Sequence, residues 1–437
     1  MGFNYCPSGT SSNSKMNMSS WSMQITSSIN NIISLFASTF LVSYIVQVNA
    51  GAPLGDSLVS IGLFYVSLYA VMAVCYFLMG YLVDRSSRIW YYRVGIIIKG
   101  AFIVFLIFLG EELAKLSFLA GALYGIAESF YWSSYNVMKC EIIPRAHADK
   151  FVAINTLLNK IINVVFPILI GFMIDVSTFA VVAIYVLVIV AIQLVFSFFI
   201  KSQRPENSNF NFFGYLKKLR GKTDDIKRIK RFYPVAICYG ATTICTSLVS
   251  ILSITTFKTN LNLGLFTAGF SVISITALLL FKKFTKVGGR RVLYVIMSVV
   301  PLMAGVMVAC KITQWTYIVF NIAETVSLTL LAYALDVQRT IILKKTGHYE
   351  DIAEHQTLTE LLFCLSRIVT FGLMLVFGLL LDVTGLRILT LIISFAFPFL
   401  CLFLAKMEKV EKDFPIETRV VAVVQEPVPC ENTENNQ

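Results

Sequence analysis

Charge is scarce in this chain. Asp, Glu, Lys and Arg supply 14% of its 437 residues, where a soluble domain carries about 25%. With 57% hydrophobic residues and a mean hydropathy of +0.75, too little polar surface exists to face water all round, so most of the exterior must face lipid. Histidine is almost missing: His147, His348 and His355 are the three, all read as solvated loop residues. Nine cysteines are present but scattered, several within apolar runs (Cys75, Cys238, Cys245, Cys310, Cys364, Cys401). Without a CxxC or a Cys/His cluster, neither a disulfide framework nor a zinc site is indicated.

Other absences exclude whole classes of activity. No Walker A sequence occurs; Gly288-Gly289 lies in a basic loop without the Gly-Lys-Ser/Thr ending that cradles phosphates. No nucleophile–base signature or HExxH motif is present, so an enzyme is not expected, nor a metal or other cofactor. The net charge of +11, with a pI near 9.1, raises nucleic-acid binding. Basic residues, however, sit in short clusters between apolar runs rather than along one face. That distribution does not make a nucleic-acid surface.

What the chain has is long apolar runs. Twelve of them, each roughly 17–25 residues, match the length of a membrane-crossing helix. They fall at about 28–48, 58–80, 94–110, 116–138, 151–175, 178–200, 232–256, 262–281, 292–310, 314–337, 357–381 and 385–405. The first 24 residues are rich in Ser, Asn and Met, with no apolar core for a cleavable signal peptide. Cys6 stands where a myristoylation signal has Ser or Thr. Loop charge sets the orientation. Even-numbered connections carry Arg85, Arg88, Arg93, Lys139, Arg145, Lys150, Lys282, Lys283, Lys286, Arg290, Arg291, Arg339, Lys344 and Lys345. Odd ones carry only Lys115, Lys258, Lys311 and Arg387. The expected topology places both termini in the cytoplasm of a multi-pass plasma-membrane protein.

The domain plan follows: an N-tail over 1–27, read as disordered; a six-helix bundle over 28–200; a basic linker over 201–231; a second bundle over 232–405; and a C-tail over 406–437. The linker can be an interfacial helix, dipping Phe210, Phe212, Phe213, Tyr215 and Leu216 into an anionic leaflet. It can equally be a solvated connection.

The halves resemble one another. Span four contains Gly125-Ile126-Ala127-Glu128-Ser129 and span ten Asn321-Ile322-Ala323-Glu324-Thr325. Aligning Asp175 with Asp382 pairs Gly171 with Gly378 and Lys160 with Arg367, without a gap. A parallel repeat of two six-helix halves is a transporter architecture. Glu128, Glu324, Lys160 and Arg367 all fall mid-span, where a charge is expensive and marks a functional site by default. One alternative is a pair of structural ion pairs, Glu128 with Lys160 and Glu324 with Arg367. The other is a site that binds substrate or carries a proton. Lys99, counted about a turn and a half from its helix end, is expected to snorkel outward.

Polar and aromatic stripes accompany these charges. Tyr124, Glu128, Tyr131 and Tyr135 share a face of span four, with Trp132 alongside, a wall suited to an aromatic or cationic group. Thr156, Lys160 and Asn163 precede Pro167 on span five. Asn30, Ser34 and Ser38 on span one, and Thr242, Thr246, Ser250 and Ser253 on span seven, either line a site or join helices.

The loop after span two reads Gly80-Tyr81-Leu82-Val83-Asp84-Arg85-Ser86-Ser87-Arg88. Here the chain resembles the major facilitator superfamily, whose hallmark is G-x-x-x-D-R-x-x-R between helices two and three. Gly80, Asp84, Arg85 and Arg88 match it as a conformational latch; the duplicate region from Lys282 to Arg291 keeps basic residues but has no acid. The resemblance spans residues 28–405. It implies an all-α membrane fold of twelve helices in two pseudo-symmetric six-helix bundles. Helices one, four, seven and ten would line a central cavity, and two, five, eight and eleven the seam between bundles. The helix-four arginine motif of drug–proton antiporters is absent, and no sugar-porter signature is evident.

The function this implies is secondary active transport of a small organic solute by alternating access. A coupling proton is expected, export is one possible direction, and the protein is expected to be a monomer in a lipid bilayer. Expected substrate-binding or ion-coupling residues are Glu128, Glu324, Lys160, Arg367, Tyr124, Tyr131, Tyr135, Trp132 and Asn163. A lipid flippase, or a non-transporting sensor or scaffold on the same fold, are the alternatives.

Overall fold

The computed structural model describes residues 18–143, 148–201, 210–257, 259–285, 290–346 and 348–413. It is helical throughout, with no strand among the described residues. The first half comprises α1 (Met18–Leu35) continuing through a π turn into α2 (Leu41–Val48), then α3 (Leu54–Arg85), α4 (Arg88–Leu109), α5 (Ser117–Ile142), α6 (Ala148–Val176) and α7 (Phe179–Ser197). A short α8 (Phe212–Leu219) lies in the linker. The second half comprises α9 (Asp224–Thr242), α10 (Ile244–Phe257), α11 (Asn260–Thr285), α12 (Arg290–Cys310), α13 (Gln314–Thr346), α14 (Ile352–Ser394) and α15 (Ala396–Asp413).

Eleven segments among the described residues are long and apolar enough to cross a bilayer. The expected fourth span is long enough as α5 but not apolar enough. Glu128, its tyrosines and its serines lower its hydropathy, and most of these polar groups are buried against neighbours. Glycine brings those neighbours close. A Cβ on Gly121 or Gly125 would overlap the α3 backbone at Phe64 and Leu68, and one on Gly95 of α4 would overlap Tyr131. The helix hydrogen-bond ladder of α14 runs on through the reversal between the last two expected spans. Gly385 packs against the backbone of Phe377, eight residues earlier; in a straight helix the two would lie about 12 Å apart.

Several boundaries differ from those expected, for one reason. Apolar runs mark where lipid-facing surface begins, whereas helices continue wherever polar side chains find buried partners. The first helix is already formed at Met18, with Gln24, Thr26 and Asn30 buried, ahead of the expected 28. The third starts at Arg88, not 94, which puts Lys99 about 16 Å into the helix. Lys99 therefore does not snorkel; it is wholly buried. The eleventh starts at Ile352 and takes His355 into the interior, fully buried rather than solvated. His348 is half-buried, and His147 lies outside the described residues.

From residue 210 onward the linker packs on the protein instead of lying free in water or on a leaflet. Phe213 points outward, while Phe212, Tyr215 and Leu219 are buried. Phe210 seats its ring on Gly80 of α3, where any Cβ would collide with it, and Phe212 meets Phe77. On the other side the Asn211 N–H donates to Glu354 (2.9 Å). Tyr215 joins Tyr233 (2.7 Å) and the Nδ1 of His355 (3.2 Å) through its hydroxyl. Burial raises the pKa of that hydroxyl. Lys218 binds Asp351 at 2.6 Å and Glu350 at 3.3 Å. Burial alone would lower the Lys218 ammonium, but its hydrogen bonds and attraction to those acids outweigh it and raise its pKa. The linker thus ties α3 of one half to α9 and α14 of the other.

Candidate functional site

The halves meet along two seams, α3 with α14 and α6 with α11. Between them lies a cavity of about 660 Å³, within the range that small-molecule sites occupy. At the end away from the linker the seams are tight. Gly171 and Gly264 bring α6 and α11 into backbone contact, where added Cβ atoms would overlap Asn260 and Pro167. Gly62 and Gly378 do the same between α3 and α14. Asp175 accepts from the backbone N–H groups of Asn260 (3.2 Å) and Leu261 (2.8 Å) and from the Asn260 side chain (3.0 Å). A carboxylate of one half thus caps the first turn of α11 in the other, where orphan N–H groups and the helix dipole favour negative charge. Its counterpart Asp382 has a side chain outside those described.

At the linker end the halves are joined by charge. Lys139 of α5 binds Asp336 of α13 at 2.6 Å. Within the second half Arg339 binds Glu360 at 2.5 Å, and Asn136 of α5 reaches across to donate to Glu360 (3.0 Å). The cavity runs from this cluster toward Ser38 and Phe270.

Of the expected site residues, Glu128, Glu324, Lys160, Arg367, Tyr124, Trp132, Tyr135 and Asn163 line this one cavity. Tyr131 does not; it is fully buried behind the wall, with the Lys99 ammonium 3.8 Å from its ring centre. Neither expected ion pair, Glu128 with Lys160 nor Glu324 with Arg367, is formed. Glu128 binds Lys99 at 2.7 Å and accepts from the Trp132 indole (2.5 Å), while Lys99 also donates to Asn30. Lys99 sits between α1 and α5 because Gly95, one turn earlier, lets α4 approach α5 without clearance for a side chain.

The second half is arranged differently. Glu324 accepts only from Thr325, at 2.9 Å, among the described residues. Arg367 donates its Nε to Thr243 (3.2 Å), the residue between α9 and α10, where the seventh span breaks. Its guanidinium lies over Tyr69 and Phe363, 5.0 and 5.3 Å from the ring centres. Lys160 has no carboxylate within 4 Å among the described residues. Beside it Asn31 donates to Asn163, at 2.8 Å. From the expected polar stripes, Asn30, Ser34, Ser38, Thr246 and Ser250 reach the cavity, whereas Thr242 and Ser253 are buried in packing.

A sequence profile described as Major Facilitator Superfamily matches residues 27–338. The chain belongs to that superfamily. Membership supports a general function in transport across a membrane. "Uncharacterized protein YqgE" of Bacillus subtilis (strain 168) is 26% identical over 152 residues, 34% of this chain and 35% of that one. The match thus spans about a third of that relative. Among solved structures, the human organic anion transporter MFSD10 (TETRAN) superposes with a TM-score of 0.59 at 13% identity, covering 89% of this chain and 96% of its own. The nucleoside transporter NupG gives 0.60 at 15%, covering 90% and 100%. A bacterial homologue of the iron transporter ferroportin, in an outward-facing state, gives 0.61 at 11%, covering 90% and 98%. At these identities the likeness shows the fold alone.

The superfamily's hallmark loop can now be placed. Arg88 is buried, donates to the Val83 carbonyl (3.4 Å) and pairs with Glu141 at the end of α5. Gly80 is the seat of Phe210. The side chains of Asp84 and Arg85 lie outside those described.

Proposed function

We propose that this chain is a secondary active transporter of a small organic solute, working by alternating access with a proton as coupling ion. The observation that carries the reading is a cavity between two related halves, lined by Glu324, Lys160 and Arg367 with no ion-pair partner within 4 Å among the described residues. Unpaired charges at an apolar core are costly and persist where they are used. Glu324 is the proton carrier in this reading, and Glu128, closed by Lys99 and Trp132, holds the fold of the first half. The glycine seam at one end and, at the other, the Lys139–Asp336 ion pair with the Asn136–Glu360 hydrogen bond are the two gates, opened in turn as the halves rock. Both termini and the linker face the cytoplasm of the plasma membrane, consistent with the loop charges. The flippase alternative loses support, because the linker that would have met lipid packs on the protein.

The test is a metabolite panel added to proteoliposomes loaded with a pH-sensitive dye. At least one solute is expected to drive proton movement, and Glu324→Gln to remove it at unchanged protein level. Full proton-coupled flux in Glu324→Gln would end the carrier role assigned to Glu324.

A further inference from the structure

The cavity wall carries more charge than its own ion pairs neutralise. Lys139 is matched by Asp336 and Arg339 by Glu360. Glu128, the acid on the aromatic face that would otherwise suit a cation, is matched by Lys99. Lys99 also occupies the ring of Tyr131. The aromatic face is therefore already met by the protein's own cations, Lys99 at Tyr131 and Lys139 at Tyr135. Among the described residues, what stays unmatched in the wall is Lys160, Arg367 and Glu324: two positive charges against one negative, and two against none once Glu324 takes a proton.

Arg367 is also prepared for a ligand. Its Nε is spent on Thr243 and its plane is set by Tyr69 and Phe363. Its two terminal nitrogens have no hydrogen-bond partner among the described residues, which leaves a fork shaped for a carboxylate or phosphate. Lys160 stands on α6 in the other half, at the matching place in the repeat, as a point charge on a flexible stem. The side-chain oxygens of Asn155 and Asn159 are buried without hydrogen-bond partners among the described residues and border the cavity, acceptors for a donor on the body of the solute rather than for its anionic end. Tyr65, Tyr124 and Phe270 supply apolar surface for the body of a solute.

We infer that the solute is a small organic anion, its carboxylate or phosphate held between Lys160 and Arg367 and its body against the cavity tyrosines. This rests on the transporter reading above and narrows it. An anion bound to both cations joins the two halves, and it supplies the countercharge that the low-dielectric site lacks. Protonation of Glu324 removes the one unmatched carboxylate from its path, so anion and proton bind together.

The experiment uses the purified full-length protein in detergent. Thermal unfolding is followed with benzoate, glutarate or phenyl phosphate, and with benzyl alcohol and benzylamine, close analogues of benzoate that differ in charge. At least one anion should raise the melting temperature, while benzyl alcohol and benzylamine do not. Lys160→Gln and Arg367→Gln should each weaken that anion's apparent affinity at least about tenfold, roughly 1.4 kcal/mol. Arg367→Lys, which keeps the charge without the fork, should restore part of it and controls for misfolding. Three results would overturn the inference: no stabilisation by any of the anions, equal or greater stabilisation by benzylamine, or an anion effect unchanged in both Gln variants. Because binding is read without flux, a protein that binds anions yet moves none breaks the transporter reading alone. One that moves only amines breaks this inference alone.

Discussion

Glu128 and Glu324 stand at matching places in the two halves, yet they meet different surroundings. The first is closed within its own half by an ammonium from α4 and an indole one turn away. The second touches only the hydroxyl of the next residue among the described residues. The reason lies on a third helix. Lys99 projects from α4, whereas the corresponding α12 has no ionisable side chain between Leu293 and Cys310 other than Tyr294 and Cys310 itself. Lys160 and Arg367 differ as well: the arginine is held by Thr243 and two rings, while the lysine has no hydrogen bond or ion pair among the described residues. A duplicated pattern has thus been divided. In one half the charge organises the helices, and in the other it is left for the cavity.

The contrast is easiest to break at Lys99. Lys99→Ala strands a buried carboxylate and should cost about 3–5 kcal/mol of stability, read by thermal or denaturant unfolding in detergent. Lys99→Leu combined with Glu128→Leu should recover most of it; a single-site loss below about 1 kcal/mol would erase the distinction between the halves. Glu324→Gln should do the reverse. Stability is expected to stay within about 1 kcal/mol, while proton-coupled flux falls at least about tenfold. The linker gives a smaller effect. Gly80→Val must expel the Phe210 ring, at about 1–3 kcal/mol, and should speed proteolytic cleavage within 202–220; an unchanged cleavage rate would show that the ring does not hold the linker. Asp336→Asn should change stability least, by about 1 kcal/mol, because its carboxylate is a third exposed and the amide oxygen that replaces it can still accept from the buried Lys139 ammonium. If it costs as much as Lys99→Ala, the gate pair is as structural as the buried one.

Much of this was legible in the residues. The hallmark loop, the repeated Ile-Ala-Glu segments and four mid-span charges led to the fold and to eight of the residues around one cavity. Lys99 was not legible, since the third apolar run starts six residues after its helix does. Counting from lipid-facing sequence made a central lysine look terminal. Tyr131 shares a helical face with Tyr124 and Tyr135 by spacing, but a stripe broad enough for four residues turns past the cavity rim, and Tyr131 falls on the far side. The docking of the linker was hidden for another reason. Aromatic residues next to lysines suit a lipid surface as well as a protein one, and only the glycine at position 80 shows where a ring can sit. His355 followed the same pattern, polar in sequence and enclosed by two tyrosines in space.

Lys99 and Glu128 sit on consecutive helices, separated only by residues 110–116. A lone helix with lysine near its centre is penalised by roughly 3 kcal/mol on entering a bilayer, and α5 by itself is less apolar than the eleven segments apolar enough to cross one. Side by side the two charges cancel, and Gly95 allows the helices to close without a gap. During synthesis the two are therefore expected to leave the insertion machinery together, as a preassembled hairpin. The ion pair that stays out of the solute's way in the finished protein would then be the contact that let this part of the chain into the membrane.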